Sequence, residues 1–352
     1  MLKLLIIVGA RPQFIKLAPL QLALNNSPIK QILVHTGQHY DPKMSAVFFD
    51  TLKLSPPSYK LPHGGKTQLC MLADMLKSLE SILLSEQPDF VLVFGDTTSS
   101  LAGALASAKL QIPLIHVEAG LRSFQLSMPE EQNRVLADRL SSLLFAPSQI
   151  AVNNLHNEGI MAPQYKIYQV GDIMKDASLL FAKYAKAPDL TLPKSFGLCT
   201  IHRQENLTKE ALSEIFAALC EIAKSLPLLL PLHPSTARFI HPKDYPGILF
   251  CEPLSYLEML YVLGHSKLVI TDSGGLQKES YFFQKPCIVL RENSEWMELV
   301  DSHYNVLAGN NAHKILQSFV HIASQASGDF GENFYGNGDC AMQILSVLKE
   351  YL

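Results

Sequence analysis

The residues able to do chemistry sit in short polar segments, each just after an apolar run: Gly9-Ala10-Arg11-Pro12, His35-Thr36-Gly37-Gln38-His39, Gly95-Asp96-Thr97, Glu118-Ala119-Gly120-Leu121-Arg122, Thr200-Ile201-His202-Arg203, His233-Pro234-Ser235 and Thr271-Asp272-Ser273-Gly274-Gly275. The last ends a strand and opens a helix, where small residues let backbone N–H groups and the helix dipole approach a phosphate. Glu279, one turn on, is placed to accept hydrogen bonds from a ribose. A plain strand-to-helix turn with Asp272 or Ser273 as N-cap explains the same motif equally well. Arg11 and Lys16 offer cations to an anionic group, or are solvated surface charges. Asp96 is either an acid–base group or the N-cap of the next helix. Glu118 interrupts Ile115-His116-Val117 at a strand end, where a carboxylate needs a partner or ligand to offset desolvation. Glu130 and Glu131 follow Pro129 and suit a helix first turn, and for Glu131 the helix dipole is explanation enough. His202, beside Arg203 and Glu205, is a reactive histidine or an ordinary capped one. Taken together, several carboxylates, one histidine and a phosphate-type turn fit chemistry on a phosphorylated sugar. The sequence has no G-x-G-x-x-G, no Walker lysine loop and no nucleophile elbow, which disfavours dehydrogenase, NTPase and α/β-hydrolase readings.

Positioning these residues requires strand ends. Short runs rich in Val, Ile and Leu alternate with longer helical patterns, the mark of buried parallel strands covered by helices, so the fold class is α/β. Strands are expected over 4–8, 31–36, 90–94, 114–117, 143–146 and 166–170, and again over 196–201, 228–232, 248–251, 267–271 and 286–290. Helices are expected near 13–25, 67–84, 98–109, 131–141, 173–186, 208–225, 255–263 and 275–283. The stretch from Lys186 to Lys194 holds two prolines and little apolar periodicity, so it is the expected linker. This gives an N-terminal Rossmann-like domain over 1–187 and a C-terminal one over 188–352, facing across a cleft, with the last helix free to pack back on the first domain.

Composition narrows the partners. The chain has 352 residues, 29 Lys and Arg against 32 Asp and Glu, and a net charge of −3 without a basic stripe, so no nucleic-acid partner is expected. The longest apolar stretches, 4–10 and 226–232, are far short of the ~20 residues a bilayer helix needs. Leu4 to Val8 mimics a signal core, but Arg11-Pro12 follows at once, where small residues of a cleavage site belong. The six cysteines are scattered, with no C-x-x-C pair and no zinc-like histidine spacing. A cytoplasmic protein without metal or redox cofactor is expected.

The ordered set Gly9-Ala10-Arg11-Pro12-Gln13-Phe14-Ile15-Lys16, His35-Thr36-Gly37-Gln38-His39-Tyr40, Gly95-Asp96-Thr97, His116-Val117-Glu118-Ala119-Gly120-Leu121-Arg122, Pro129-Glu130-Glu131-Gln132-Asn133-Arg134, Thr200-Ile201-His202-Arg203-Gln204-Glu205-Asn206 and Asp272-Ser273-Gly274-Gly275 resembles the non-hydrolysing UDP-N-acetylglucosamine 2-epimerases. The resemblance runs from the first strand to about Gly309. It implies a GT-B-like fold, a UDP-sugar substrate, a homodimer and cofactor-free conversion of UDP-N-acetylglucosamine to UDP-N-acetylmannosamine for surface polysaccharide synthesis. The implied route is elimination of UDP to a 2-acetamidoglucal and re-addition, because no carbonyl acidifies the C2 proton. By the same resemblance, Asp96, Glu118, Glu130 and His202 are the catalytic candidates. Arg11, Lys16 and His202 face the diphosphate, with Arg203, Ser273, Gly274 and Gly275 in the binding set and Glu279 on the ribose.

Three departures qualify it. Asn293-Ser294-Glu295-Trp296-Met297-Glu298 stands where many members carry Arg after Thr-Glu, so a diphosphate-facing cation is expected to be missing there. Gln38 and His39 fit the family's allosteric site for a second UDP-N-acetylglucosamine, but Asp74 stands where relatives place an Arg and would repel its phosphates. The Gly-Ala-Arg-Pro and Glu-Trp forms also resemble epimerases of UDP-2,3-diacetamido-2,3-dideoxy-glucuronate, which makes that sugar the alternative substrate. A hydrolysing 2-epimerase would share the early chemistry and release free N-acetylmannosamine. A GT-B glycosyltransferase and a non-catalytic UDP-sugar sensor are the competing classes.

Overall fold

The computed structural model describes residues 1–38, 54–62, 67–324 and 330–352. The chain divides into two compact units, Met1–Leu179 with Asn333–Leu352, and Leu180–Glu332. The proline-containing stretch 186–194 therefore lies inside the second unit.

Among the described residues, the first unit carries a seven-stranded sheet. Its strands are β1 (Leu2–Val8), β2 (Ile29–His35), β3 (Tyr59–Lys60), β4 (Phe90–Phe94), β5 (Leu114–Val117), β6 (Leu143–Ala146) and β7 (Lys166–Gln169), in the order β3-β2-β1-β4-β5-β6-β7. All its pairings are parallel. Parallel strands are covered on both faces, which is why Leu4 to Val8 reads as an unbroken apolar run and is wholly buried. Helices α1 (Arg11–Leu24), α2 (Gln68–Glu86), α3 (Thr98–Lys109), α4 (Pro129–Leu140), α5 (Gln149–Asn157) and α6 (Ile173–Ala182) follow the strands.

The second unit repeats the plan with six strands among the described residues: β8 (Gly197–Thr200), β9 (Leu228–Pro231), β10 (Ile248–Cys251), β11 (Val269–Thr271), β12 (Cys287–Val289) and β13 (Asn305–Leu307), ordered β10-β9-β8-β11-β12-β13. Its helices are α7 (Lys209–Ala223), α8 (Pro234–Ala237), α9 (Tyr256–His265), α10 (Gly274–Phe282), α11 (Met297–Asp301) and α12 (Ala312–Ser324). Helix α13 (Cys340–Lys349) belongs to the first unit and packs on α1. No helix among the described residues is long and apolar enough to cross a membrane.

In both sheets the strand order reverses beside the first strand, between β1 and β4 and between β8 and β11. Strand carboxyl ends at such a switch point diverge and leave a crevice for ligand. The sequence pattern does not anticipate β3, β13, α5, α8, α11 or α12. The two strands are only two and three residues long, and α5 buries just Ala151 and Leu155, so its apolar periodicity is faint.

Two helices show opposite ways of being buried. Helix α7 presents Ala211, Leu212, Ile215, Phe216, Ala218, Leu219 and Ile222 to its core, an ordinary apolar stripe. Helix α4 buries Glu131, Arg134 and Asp138, spaced three and four apart and so on one face. A buried charged stripe needs a partner for every charge, and those partners build the site.

Candidate active site

At the β1 end, Gly9 is crowded by the hydroxyls of Thr36 and Ser99, leaving no room for a side chain. The Gln13 carboxamide oxygen accepts from the N–H groups of Gly9 (2.8 Å) and Ala10 (3.0 Å), while its nitrogen donates to the Phe94 carbonyl and Ser100 Oγ (both 3.0 Å). One buried amide thus ties the turn after β1 to the end of β4. Arg11 opens α1, and Lys16, one turn further, is buried and ion-paired with Glu118.

Glu118 follows β5 with a φ of +73°, a left-handed conformation unusual for a residue with a side chain. Its N–H and that of Ala119 both donate to the Phe145 carbonyl at 3.0 Å, which fixes the turn. The desolvation cost expected of this carboxylate is met by Lys16. A side chain at Gly95, itself at φ +57°, would lie 3.0 Å from the Glu118 carboxylate and 3.4 Å from the Lys16 ammonium, so glycine lets the pair sit against the β4 turn.

Asp96 is not the cap of α3. Thr97 is, its hydroxyl accepting from the Ser100 N–H at 3.2 Å, which leaves the Asp96 carboxylate to pair with Arg134 on α4. Asn133 also donates to the Asp96 carbonyl, at 2.8 Å. Arg134 reaches Glu131 at 2.8 Å, and Glu131 accepts from Ser123 N–H and Oγ (both 2.9 Å) and from Phe124 N–H (3.0 Å). Burial works to raise the Glu131 carboxyl, but the Ser123 hydrogen bonds and Arg134 outweigh it and hold it below its ordinary value. Glu131 therefore clamps the 123–124 loop, a larger task than the dipole explanation assigned it. Glu130 beside it is exposed and makes no ion pair or hydrogen bond among the described residues.

Behind these turns lies a layer that the sequence reading missed. His116 is fully buried, its Nδ1 2.6 Å from Asp138 Oδ1 and its Nε2 2.9 Å from the Gly95 carbonyl oxygen. Asp138 also accepts from Gly120 N–H (3.1 Å) and Arg122 (2.7 Å), and Arg122 holds Glu158 through two nitrogens at 2.6 and 2.8 Å. Burial would raise the Asp138 carboxyl, yet His116 and Arg122 more than reverse that and keep it low. Of the allosteric candidates, Gln38 spends its carboxamide oxygen on Ser99 N–H (3.0 Å) and Oγ (2.6 Å), and His39 lies outside the described residues.

The second switch point is built differently. Asp272 is fully buried and accepts from the backbone N–H groups of His202 (2.9 and 3.2 Å) and Arg203 (2.9 Å) and from Asn206 Nδ2 (3.2 Å). His202 Nδ1 lies 3.3 Å from the same carboxylate, and the ring remains partly exposed. Ser273 caps α10, which opens on Gly274 and Gly275, with Glu279 half-buried on its second turn. Gly275 has nothing within 4 Å of where a side chain would start. A side chain at Gly274 would lie 3.9 Å from the guanidinium nitrogens of Arg203 and Arg291 and from Glu295.

Two cations, Arg291 and Lys278, lie near Trp296, around which a cation is expected to be missing. Arg291 is buried and held by Glu295 at 3.0 and 3.1 Å. The Trp296 indole donates to the Gly274 carbonyl at 2.9 Å, and the Lys278 ammonium lies 4.0 Å over its ring. Arg291, which the sequence analysis does not single out, stands just beyond the carboxyl end of β12.

Two Rossmann-like units, each with a parallel sheet and alternating helices, make this an α/β protein of the GT-B-like class. Within that class the chain belongs to the UDP-N-acetylglucosamine 2-epimerase family of isomerases, whose family model matches residues 22–349. It is 44% identical to the UDP-2,3-diacetamido-2,3-dideoxy-D-glucuronate 2-epimerase of Pseudomonas aeruginosa, over 99% of this chain and 100% of that protein. It is 40% identical to the UDP-N-acetylglucosamine 2-epimerase of Methanocaldococcus jannaschii, over 99% of each. The crystal structure of a Methanocaldococcus jannaschii UDP-GlcNAc 2-epimerase with UDP-GlcNAc and UDP superposes with a TM-score of 0.90 at 38% identity, covering 99% of this chain and 100% of that one.

Proposed function

We propose that the protein epimerises C2 of a UDP-2-acetamido sugar without hydrolysis, taking UDP-N-acetylglucosamine to UDP-N-acetylmannosamine by elimination and re-addition of UDP. The observation that carries this reading is the first switch point, where two carboxylates, Asp96 and Glu118, are each kept beside a cation. Elimination takes a proton from C2 while the C1–O bond to UDP breaks, so it needs a base, negative charge near the oxocarbenium-like C1, and cations on the departing diphosphate. Asp96, Glu118 and the exposed Glu130 supply carboxylates for the first two roles. Arg11, Lys16, His202, Arg203 and the start of α10 at Ser273, Gly274 and Gly275 supply cations and N–H donors for the third, and Glu279 is available to a ribose. Re-addition of UDP to the glucal, with protonation of C2 from the other face, completes the inversion and consumes no cofactor.

A second substrate, UDP-2,3-diacetamido-2,3-dideoxy-glucuronate, is favoured by the 44% identity to the Pseudomonas aeruginosa enzyme that bears that name. Incubating the protein with each nucleotide sugar in D2O, followed by proton NMR and mass analysis, tests both. Deuterium at C2 in an intact 2-epimer supports the proposal and names the substrate. Free N-acetylmannosamine with UDP assigns the hydrolysing branch instead, and no exchange with either sugar refutes the proposal.

A further inference from the structure

We infer that His116 donates through both ring nitrogens as a resident imidazolium, and that with Asp138 it is a positioning device setting the two turns that carry Asp96 and Glu118. Its functional half rests on the epimerase reading, and its structural half does not.

The assignment follows from what each ring nitrogen meets. Nε2 faces the Gly95 carbonyl oxygen at 2.9 Å, and a carbonyl can only accept. Nδ1 faces Asp138 at 2.6 Å, a short distance that suits a charge-assisted bond. The other oxygen of Asp138 takes donors from Arg122 at 2.7 Å and from Gly120 N–H at 3.1 Å, partners that suit a carboxylate, which can only accept. A neutral ring would leave one nitrogen lone pair pressed against an oxygen lone pair in a site with no water access. A proton on each nitrogen satisfies both contacts at once. The charges then alternate from imidazolium to Asp138 to Arg122 to Glu158, and no buried member lacks an opposite neighbour.

The mechanical consequence lies in which backbone groups the pair grips. His116 holds the carbonyl of Gly95, the residue before Asp96, and Asp138 holds the N–H of Gly120, two residues after Glu118. Gly95, Glu118 and Gly120 have φ values of +57°, +73° and +82°. The two glycines adopt this region freely, whereas Glu118 persists there only because its surroundings over-determine it. Because Asp138 and Arg134 lie four residues apart on α4, the helix that pins the turns also pins the Asp96 carboxylate. Helix α4 thus sets the spacing of both carboxylates, which explains why its buried stripe is charged.

Two measurements test this on the full chain. With 15N-labelled histidine at pH 7.5, a long-range proton–nitrogen correlation spectrum, assigned by loss of signals in His116→Gln, should show two protonated nitrogens for His116. One bare nitrogen overturns the imidazolium, whatever the enzyme's activity proves to be. For the substrate that wild type turns over, folded Asp138→Asn should lose about 10²-fold in kcat, as expected for an ångström-scale displacement of catalytic groups, with UDP affinity within about twofold. His116→Gln should show the same split and serves if Asp138→Asn does not fold. Unchanged kcat in a folded variant overturns the positioning role.

Discussion

The two switch points share a topology and differ in what they place there. After β4 and β5 the first unit presents carboxylates, Asp96 and Glu118, each with a cation within reach and backed by buried charges on α4. After β8 and β11 the second unit buries Asp272 as a clamp on 202–206 and opens α10 on Gly274, where a side chain would lie 3.9 Å from the guanidinium nitrogens of Arg203 and the buried Arg291. In the proposed reaction the same strand order serves different electrostatics, proton chemistry in the first unit and an anion site in the second, to which Arg11 and Lys16 of the first unit add cations. What separates them is the partner of the carboxylate: a side-chain cation for Asp96 and Glu118, backbone N–H groups for Asp272.

The sharpest way to break this comparison is Glu118→Gln, which removes charge from the first switch point only. We expect kcat to fall by about 10²–10⁴-fold, the usual worth of an acid–base group, with UDP affinity in a titration essentially retained. A comparable loss of UDP affinity would show that the two regions do not divide the work. Next in size is Gly274→Ala. Nothing lies closer than 3.9 Å to the new methyl, so the melting temperature should hold, while UDP affinity falls roughly tenfold, about 1.4 kcal/mol, as the methyl intrudes on an anion at the helix start. Unchanged affinity would place the anion elsewhere.

The smallest effect is on stability alone. Asp176, on α6, accepts from the Cys340 and Ala341 N–H groups at 3.1 and 2.8 Å, and burial pushes it up to about 6 against an ordinary 3.8. An acid raised in the folded state contributes stability that is whole below its unfolded value and is lost as pH rises through its folded value. Between about pH 4 and 6 the first unit should therefore lose up to about 3 kcal/mol from this group. Melting curves across that range should be flatter for Asp176→Asn than for wild type, and equal slopes would dismiss the effect.

Much of this was legible in the sequence because buried parallel strands announce themselves. Leu4 to Val8 and Phe90 to Phe94 are unbroken apolar runs, and the polar residues just beyond them, from Arg11 to Asp96, could be picked out by position alone. Residues that act through contacts distant in sequence stayed hidden. Gln13 looks like any first-turn polar residue until its amide is seen bridging to Phe94 and Ser100. His116 sits among apolar neighbours in a strand, and Asp138 22 positions later gives no local sign of the pairing. Helix α4 could be recognised as a helix, but its inward face could not be deduced from hydropathy, since the face it buries is the charged one.

The chain leaves the first unit at Leu179 and re-enters it at Asn333. The first unit is consequently discontinuous in sequence and the second is not. The first unit must wait, its α6 carrying Asp176 without the helix start that Cys340 and Ala341 later supply. The half bearing Asp96 and Glu118 therefore lacks some of its native contacts until residues 333–352 have been made.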